Sequence, residues 1–210
     1  MARRVMIAAP GGPEVLRHET YDPGVPGPRE VLLRHGAIGL NYIDLHHRTG
    51  RYPLPRYPSP IGLEAAGVID AVGTDVREFA PGDRVAYSAP PIGAYCDRRC
   101  MPADHLVKLP ASISDEIAAG IMTKGLTAHY LIFTTYAVKP GDVLLVHAAA
   151  GGVGTILCQW AAHLGATVIG TVSTAAKGYE AATALTTPAI AYGQDGKTRR
   201  SLELFAEAKA

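Results

Sequence analysis

Cysteine is scarce in this sequence: Cys96, Cys100 and Cys158 are the only three in 210 residues. A sparse and odd count excludes a disulfide framework and points to reduced thiols and a cytoplasmic home. The four clustered cysteines of a structural zinc site are lacking as well. Only Cys96 and Cys100 lie close together in the chain, and no tetrahedral four-ligand site can be built from them. Excess charge of one sign is absent, because 20 basic residues stand against 19 acidic ones for a net charge of +1. Nothing in that balance attracts nucleic acid or an anionic membrane. Long hydrophobic runs are missing too. The apolar run after Arg3 and Arg4 stops at Pro10, too short for a secretory signal. Residues 143–176 hold no Asp, Glu, Lys or Arg, yet Gly151, Gly152, Gly154, Gln159, His163 and Gly165 interrupt them. That stretch reads as a buried strand–helix–strand unit and not as a membrane span. There is no internal repeat and no low-complexity tract.

What is present suits a globular protein of one large or two small domains. Hydrophobic residues make up 48% and charged residues 19%, enough for a sizeable core. The first half is turn-rich, punctuated by Pro10-Gly11-Gly12-Pro13, Pro23-Gly24, Pro26-Gly27-Pro28 and Pro81-Gly82-Asp83. Short strands are expected between these turns over 5–9, 31–35, 66–72, 84–88 and 106–109, as in an irregular β-barrel or rolled sheet. The character changes near Ser112. An Ala-rich helix is predicted over 112–127, capped by Ser112 or Ser114 with Asp115 and Glu116 in its first turn. A second helix is predicted over 128–136. Then come a turn at Lys139-Pro140-Gly141-Asp142, a strand over 143–147, a glycine cluster, a helix over 153–163 and a strand over 167–172. This is a βαβ unit of a parallel sheet. Further on, the pattern allows a helix over 174–184, a third strand over 189–192 and an amphipathic helix over 197–209.

The cluster Ala148-Ala149-Ala150-Gly151-Gly152-Val153-Gly154 sits between a predicted strand and a predicted helix. A dinucleotide fold needs small residues there. The chain must turn sharply, the backbone must approach a pyrophosphate, and the helix must pack close to its strand. The helix N-terminus then offers free N–H groups and a positive dipole to the phosphates. At the end of the second strand, users of NAD place an acidic residue. This sequence reads Gly170-Thr171-Val172-Ser173-Thr174-Ala175-Ala176-Lys177, with no acid before Glu180. Hydroxyls and a lysine suit a 2′-phosphate, so the expected cofactor is NADPH.

Several motifs together resemble a known family. Gly62-Leu63-Glu64-Ala65-Ala66-Gly67-Val68 and Pro81-Gly82-Asp83-Arg84-Val85 are similar to paired signatures of the medium-chain oxidoreductase catalytic domain. His147 through Gly154 resembles the nucleotide turn of its quinone oxidoreductase branch. Gly11-Gly12-Pro13-Glu14-Val15-Leu16 and Gly39-Leu40-Asn41-Tyr42-Ile43-Asp44 fit the same branch. The resemblance runs from residue 1 to about 182. It implies an α/β architecture: an N-terminal GroES-like irregular β-barrel domain over 1–122, then a partial, half Rossmann parallel-sheet domain over 123–210.

The resemblance is most useful by contrast. Zinc-dependent members carry a cysteine near the position of Asn41 and a histidine where Leu63 stands, and both are missing here. The adjacent pair His46 and His47 is a poor metal site, so no metal is expected. The implied chemistry is metal-free hydride transfer from NADPH to a quinone or activated enone. The resemblance implies Asn41 and Tyr52 as the acceptor site, through an amide donor and a phenol donor. It implies cofactor contacts from Tyr42, Ile43, Asp44, Leu45, His46, Thr127, Tyr130, Gly152, Val153, Ser173, Lys177 and Tyr192. A short-chain dehydrogenase is excluded, because the glycine motif comes late and no Tyr-x-x-x-Lys pair occurs. The competing expectation is a truncated, non-enzymatic relative serving as a binding or structural module. On this reading strands four to six of the sheet and the closing segment lack sequence. One edge of the 143–146 strand should then be open, favouring a homodimer or aggregation, and activity should be impaired.

Overall fold

Alternating apolar residues bounded by turn signals build most of the first half. In β3 (Glu30–Gly39) Val31 and Leu33 are buried while Arg34 is exposed. The computed structural model describes residues 1–174 and 189–191. The chain divides into two compact units, Met1–Thr123 and Lys124–Ala210.

In the first unit, β1 (Ala2–Ile7) pairs antiparallel with β2 (Leu16–Tyr21) and β4 (Ser59–Pro60). A five-stranded antiparallel sheet joins β3 to β5 (Glu64–Val72), β6 (Arg84–Ser88), β7 (Arg98–Pro102) and β8 (Val107–Lys108) in the order β7-β3-β5-β6-β8. Register shifts between Leu32 and Leu33 and between His35 and Ala37 bend β3 against β5, the device that curls a sheet. Val31, Leu33, Ala65, Ile69, Val85, Tyr87 and Met101 form the core within that curl. One short helix, α1 (Tyr42–Thr49), leaves the end of β3.

The long helix α2 (Asp115–Tyr130) begins as expected: Ser114 Oγ accepts the Ile117 N–H at 3.3 Å, satisfying one free N-terminal donor. Arg84 anchors the same turn through Asp115 at 2.6 Å. The break predicted between two helices at 127/128 does not occur. α2 continues to Tyr130 and passes into a π-helical turn, Leu131–Thr135.

In the second unit, β9 (Val143–Val146), α3 (Gly152–His163) and β10 (Thr167–Val172) form the expected βαβ unit, and β11 (Ala189–Ala191) adds a third strand. All pairings are parallel, in the order β11-β10-β9. Among the described residues, β9 is paired on one side only, and Val143 and Leu145 are about half exposed, at 55% and 51%. Cys158, Ala161, Val168 and Val172 pack α3 on the sheet. The helices predicted over 174–184 and 197–209, and the sites Lys177 and Tyr192, lie outside the described residues. No helix among the described residues is long and apolar enough to cross a membrane.

Candidate functional site

The glycine turn of the second unit is built by backbone crowding. Gly154 occupies the first turn of α3, where an added Cβ would fall 2.2 Å from the Ala148 carbonyl oxygen and 2.8 Å from Ala149 Cα. Only glycine fits without moving the backbone. Ala148, at the sharpest point of the turn, has φ of 53°, and no other non-glycine residue described takes a positive φ. Such a conformation costs an alanine roughly 1–2 kcal/mol, a strain held where the strand must reverse into the helix. The N-cap of α3 is Gly151, which has no side chain to cap it, and a helix N-terminus of this kind can present N–H groups to an anion. Gly152 is exposed, Val153 is half-buried, and Ser173 and Thr174 are exposed just past the end of β10.

One residue near the turn was not anticipated. The aliphatic stem of Lys124 lies over Gly152, its Cδ 2.9 Å from where a Cβ would stand. A cation beside a helix N-terminus reinforces attraction for phosphate. Nothing in the sequence marks Lys124, since 28 positions separate it from Gly152. Thr127 and Tyr130 follow it on α2, three residues apart on one helix face. Thr127 is half-buried and Tyr130 is 49% exposed. Beside them, His129, Phe133 and Trp160 stack at 4.9–5.6 Å and fasten α2 to α3.

In the first unit, the expected residues gather on α1 and its ends. Asn41 is the N-cap and forms a capping box with Asp44, whose Oδ2 accepts the Asn41 N–H at 2.9 Å. The side chains of two expected site residues turn inward. The Asn41 amide was expected to donate to an acceptor molecule. Instead its Nδ2 donates inward, to Glu64 Oε2 and to Thr123 Oγ1, and the side chain is buried. A primary amide has two N–H hydrogens, and both are engaged. Asp44 was expected as a cofactor contact, but its side chain points inward and is 2% exposed. It also accepts from the Tyr95 hydroxyl at 3.0 Å. Burial pushes its carboxyl above the ordinary carboxylate range, against the pull of those hydrogen bonds. His47, one turn on, is buried as well, and desolvation holds its pKa below the usual value.

The rest of α1 faces outward to differing degrees. Tyr42 is 80% exposed, and Ile43, Leu45 and His46 are half-buried. Tyr52 is half exposed, with its ring edge-on to His46 at 4.9 Å and its N–H on the His46 carbonyl at 3.1 Å. Asn41 therefore caps the start of α1, while Tyr52 folds back against His46 in its second turn. His46 and His47 do not converge, and among the described residues no three metal-binding side chains meet.

A curled antiparallel sheet in one unit and a parallel βαβ unit turning on glycine in the other define a class of proteins that carry both a GroES-like domain and a nucleotide-binding sheet. Residues 27–139 match the alcohol dehydrogenase GroES-like domain. The chain belongs to that family, and so to the medium-chain oxidoreductases. It is 49% identical over 204 residues to a quinone oxidoreductase of Pseudomonas aeruginosa, covering 97% of this chain and 63% of the relative. It is 45% identical to quinone oxidoreductase 1 of Escherichia coli, with 97% and 62% covered. Among solved structures, a Pseudomonas syringae pv. tomato quinone oxidoreductase superposes with a TM-score of 0.92 at 49% identity, covering 98% of this chain and 63% of that one. The Escherichia coli quinone oxidoreductase complexed with NADPH gives 0.92 at 44% identity, with 97% and 63% covered. The chain thus spans a little under two thirds of the length of these relatives.

Proposed function

We propose that the chain binds NADPH at the β9–α3 turn and serves the metal-free reduction of quinones or activated enones. The observation that carries this reading is the turn itself: Gly154 packed against the Ala148 and Ala149 backbone, in the first turn of a helix whose N-cap is Gly151. Bound NADPH would supply the hydride. The first N–H groups of α3, with Gly152, Val153 and Lys124, hold the pyrophosphate. Ser173 and Lys177 receive the 2′-phosphate. Thr127, Tyr130, Tyr192 and the segment Tyr42, Ile43, Leu45 and His46 line the rest of the cofactor. Asp44 supports that segment from within. Tyr52 offers its phenol O–H to the acceptor oxygen, while Asn41 fixes the N-terminus of α1.

Near Asn41 and at Leu63, where the family resemblance implies zinc ligands in metal-dependent members, this chain supplies neither a thiolate nor an imidazole. Partners are a small-molecule acceptor and a second copy of the chain. The three unpaired cysteines fit a reducing compartment such as the cytoplasm. The test is calorimetric titration with NADPH and NADH, then absorbance-monitored NADPH oxidation with a simple quinone and an enone, with and without chelator. NADPH binding preferred over NADH, with chelator-insensitive turnover, is the expected result. Absence of NADPH binding would remove the proposal.

A further inference from the structure

Glu64 opens β5 and is fully buried. A buried carboxylate is costly unless donors surround it, and here they do. Asn41 Nδ2 donates to Oε2, and the Thr123 N–H donates to Oε1 at 2.8 Å. Thr123 Oγ1 extends the network to Ser88 Oγ at 2.7 Å. Gly39 stands opposite Glu64 in the β3–β5 register, where a Cβ would fall 2.1 Å from the Ala119 carbonyl and 2.5 Å from Glu64 Oε2. The α2 backbone thus closes directly over the carboxylate. An apolar side chain would fill this junction at lower desolvation cost. It would not choose the direction of an amide. A carboxylate only accepts, so an amide facing it must turn its N–H side inward.

We propose that Glu64 is a positioning residue. Its carboxylate fixes the side-chain amide of Asn41, and through that N-cap the start of α1, in the geometry the cofactor site requires. This rests on the NADPH reading above. The physical consequence is specific. In Glu64→Gln the size is kept, but one carboxylate oxygen becomes a donor. The Thr123 backbone N–H cannot invert, so the glutamine oxygen stays with it and the NH2 faces Asn41. Asn41 must then rotate its amide to present oxygen, disturbing the cap. Adding Asn41→Asp restores the match with reversed polarity, because aspartate accepts from the glutamine NH2 and is an equally good N-cap.

The test uses the 15N-labelled 210-residue chain in three forms: wild type, E64Q and E64Q/N41D. The wild-type Asn41 side-chain amide should exchange slowly. In E64Q its resonances should move and exchange faster, with NADPH affinity about tenfold weaker. In the double variant the slow pair should pass to the introduced glutamine, with affinity back within about threefold of wild type. Unchanged Asn41 resonances in E64Q, or a double variant no better than E64Q, would overturn the proposal. If the wild type does not bind NADPH, the cofactor reading fails. Glu64 is then judged on the amide resonances alone, and its positioning role stands only if slow exchange passes from the Asn41 amide to that of the introduced glutamine.

Discussion

His35 is held neutral by its surroundings. Its Nδ1 meets the Cys96 carbonyl at 2.7 Å and its Nε2 the Tyr87 hydroxyl at 3.1 Å. The carbonyl can only accept, so Nδ1 carries the proton and Nε2 accepts from Tyr87. Desolvation lowers its pKa from 6.5 to about 4. The unfolded chain therefore takes up this proton first as pH falls. The stability His35 gives the fold is complete above pH 6.5 and is lost progressively down to about 4, an effect on the order of 3 kcal/mol. His35→Gln keeps a donor and an acceptor but does not titrate. Urea midpoints at pH 7 and pH 4.5 should differ more for wild type than for the variant, and an equal difference would show that His35 is not the group responsible. Two substitutions address the proposed site at the same scale. Tyr52→Phe should lower quinone turnover about three- to tenfold, the loss of one hydrogen bond, and leave NADPH affinity intact; unchanged turnover with several quinones makes Tyr52 a packing residue. Lys177→Ala should weaken NADPH binding roughly ten- to a hundredfold and NADH binding little, as read by calorimetry.

At the scale of elements, the βαβ unit was legible because its signals are local: an apolar run, a glycine cluster and another apolar run. Its critical contact gives a direct test. Gly154→Ala should cost about 2 kcal/mol or more, since the added methyl meets backbone that cannot yield, and NADPH affinity should fall with it. Gly120→Ala is the control. It lies inside α2 with nothing within 4 Å of the new methyl, and should stabilise by about 0.5–1 kcal/mol. Thermal unfolding of the two variants should shift in opposite directions. The elements that escaped the sequence reading share a cause. β2 reads Leu-Arg-His-Glu-Thr-Tyr and is mostly exposed, and it exists because β1 pairs with it along its whole length. The helix α1 has only eight residues, too few to stand alone, and polar ones at that. Its start depends on the Asn41–Asp44 capping box and on Glu64, which lies 23 residues from Asn41.

At the scale of the whole molecule, the edge of β9 that no described residue pairs has consequences in solution. An apolar strand with one unpaired side among the described residues, and with Val143 and Leu145 half exposed, offers a template for a second copy. Light scattering should show concentration-dependent association of the 210-residue chain. Leu145→Lys should reduce it without a change in secondary structure, because a charged edge opposes pairing. Association equal in both proteins would place the contact elsewhere.

The sequence by itself determined the parts whose physics is local. Those are the small residues of the nucleotide turn, the missing zinc ligands, the neutral end of the second strand and the curled succession of short strands. Only the tertiary structure decided which polar atoms remain available. It turned the Asn41 amide inward, buried Asp44, laid Lys124 over Gly152 and left the Tyr52 ring half exposed. The reason is that a donor's partner is fixed by which distant segments close over it. Glu64 reaches Asn41 and Thr123 from β5, across 23 and 59 residues of chain, and no short-range pattern records that meeting.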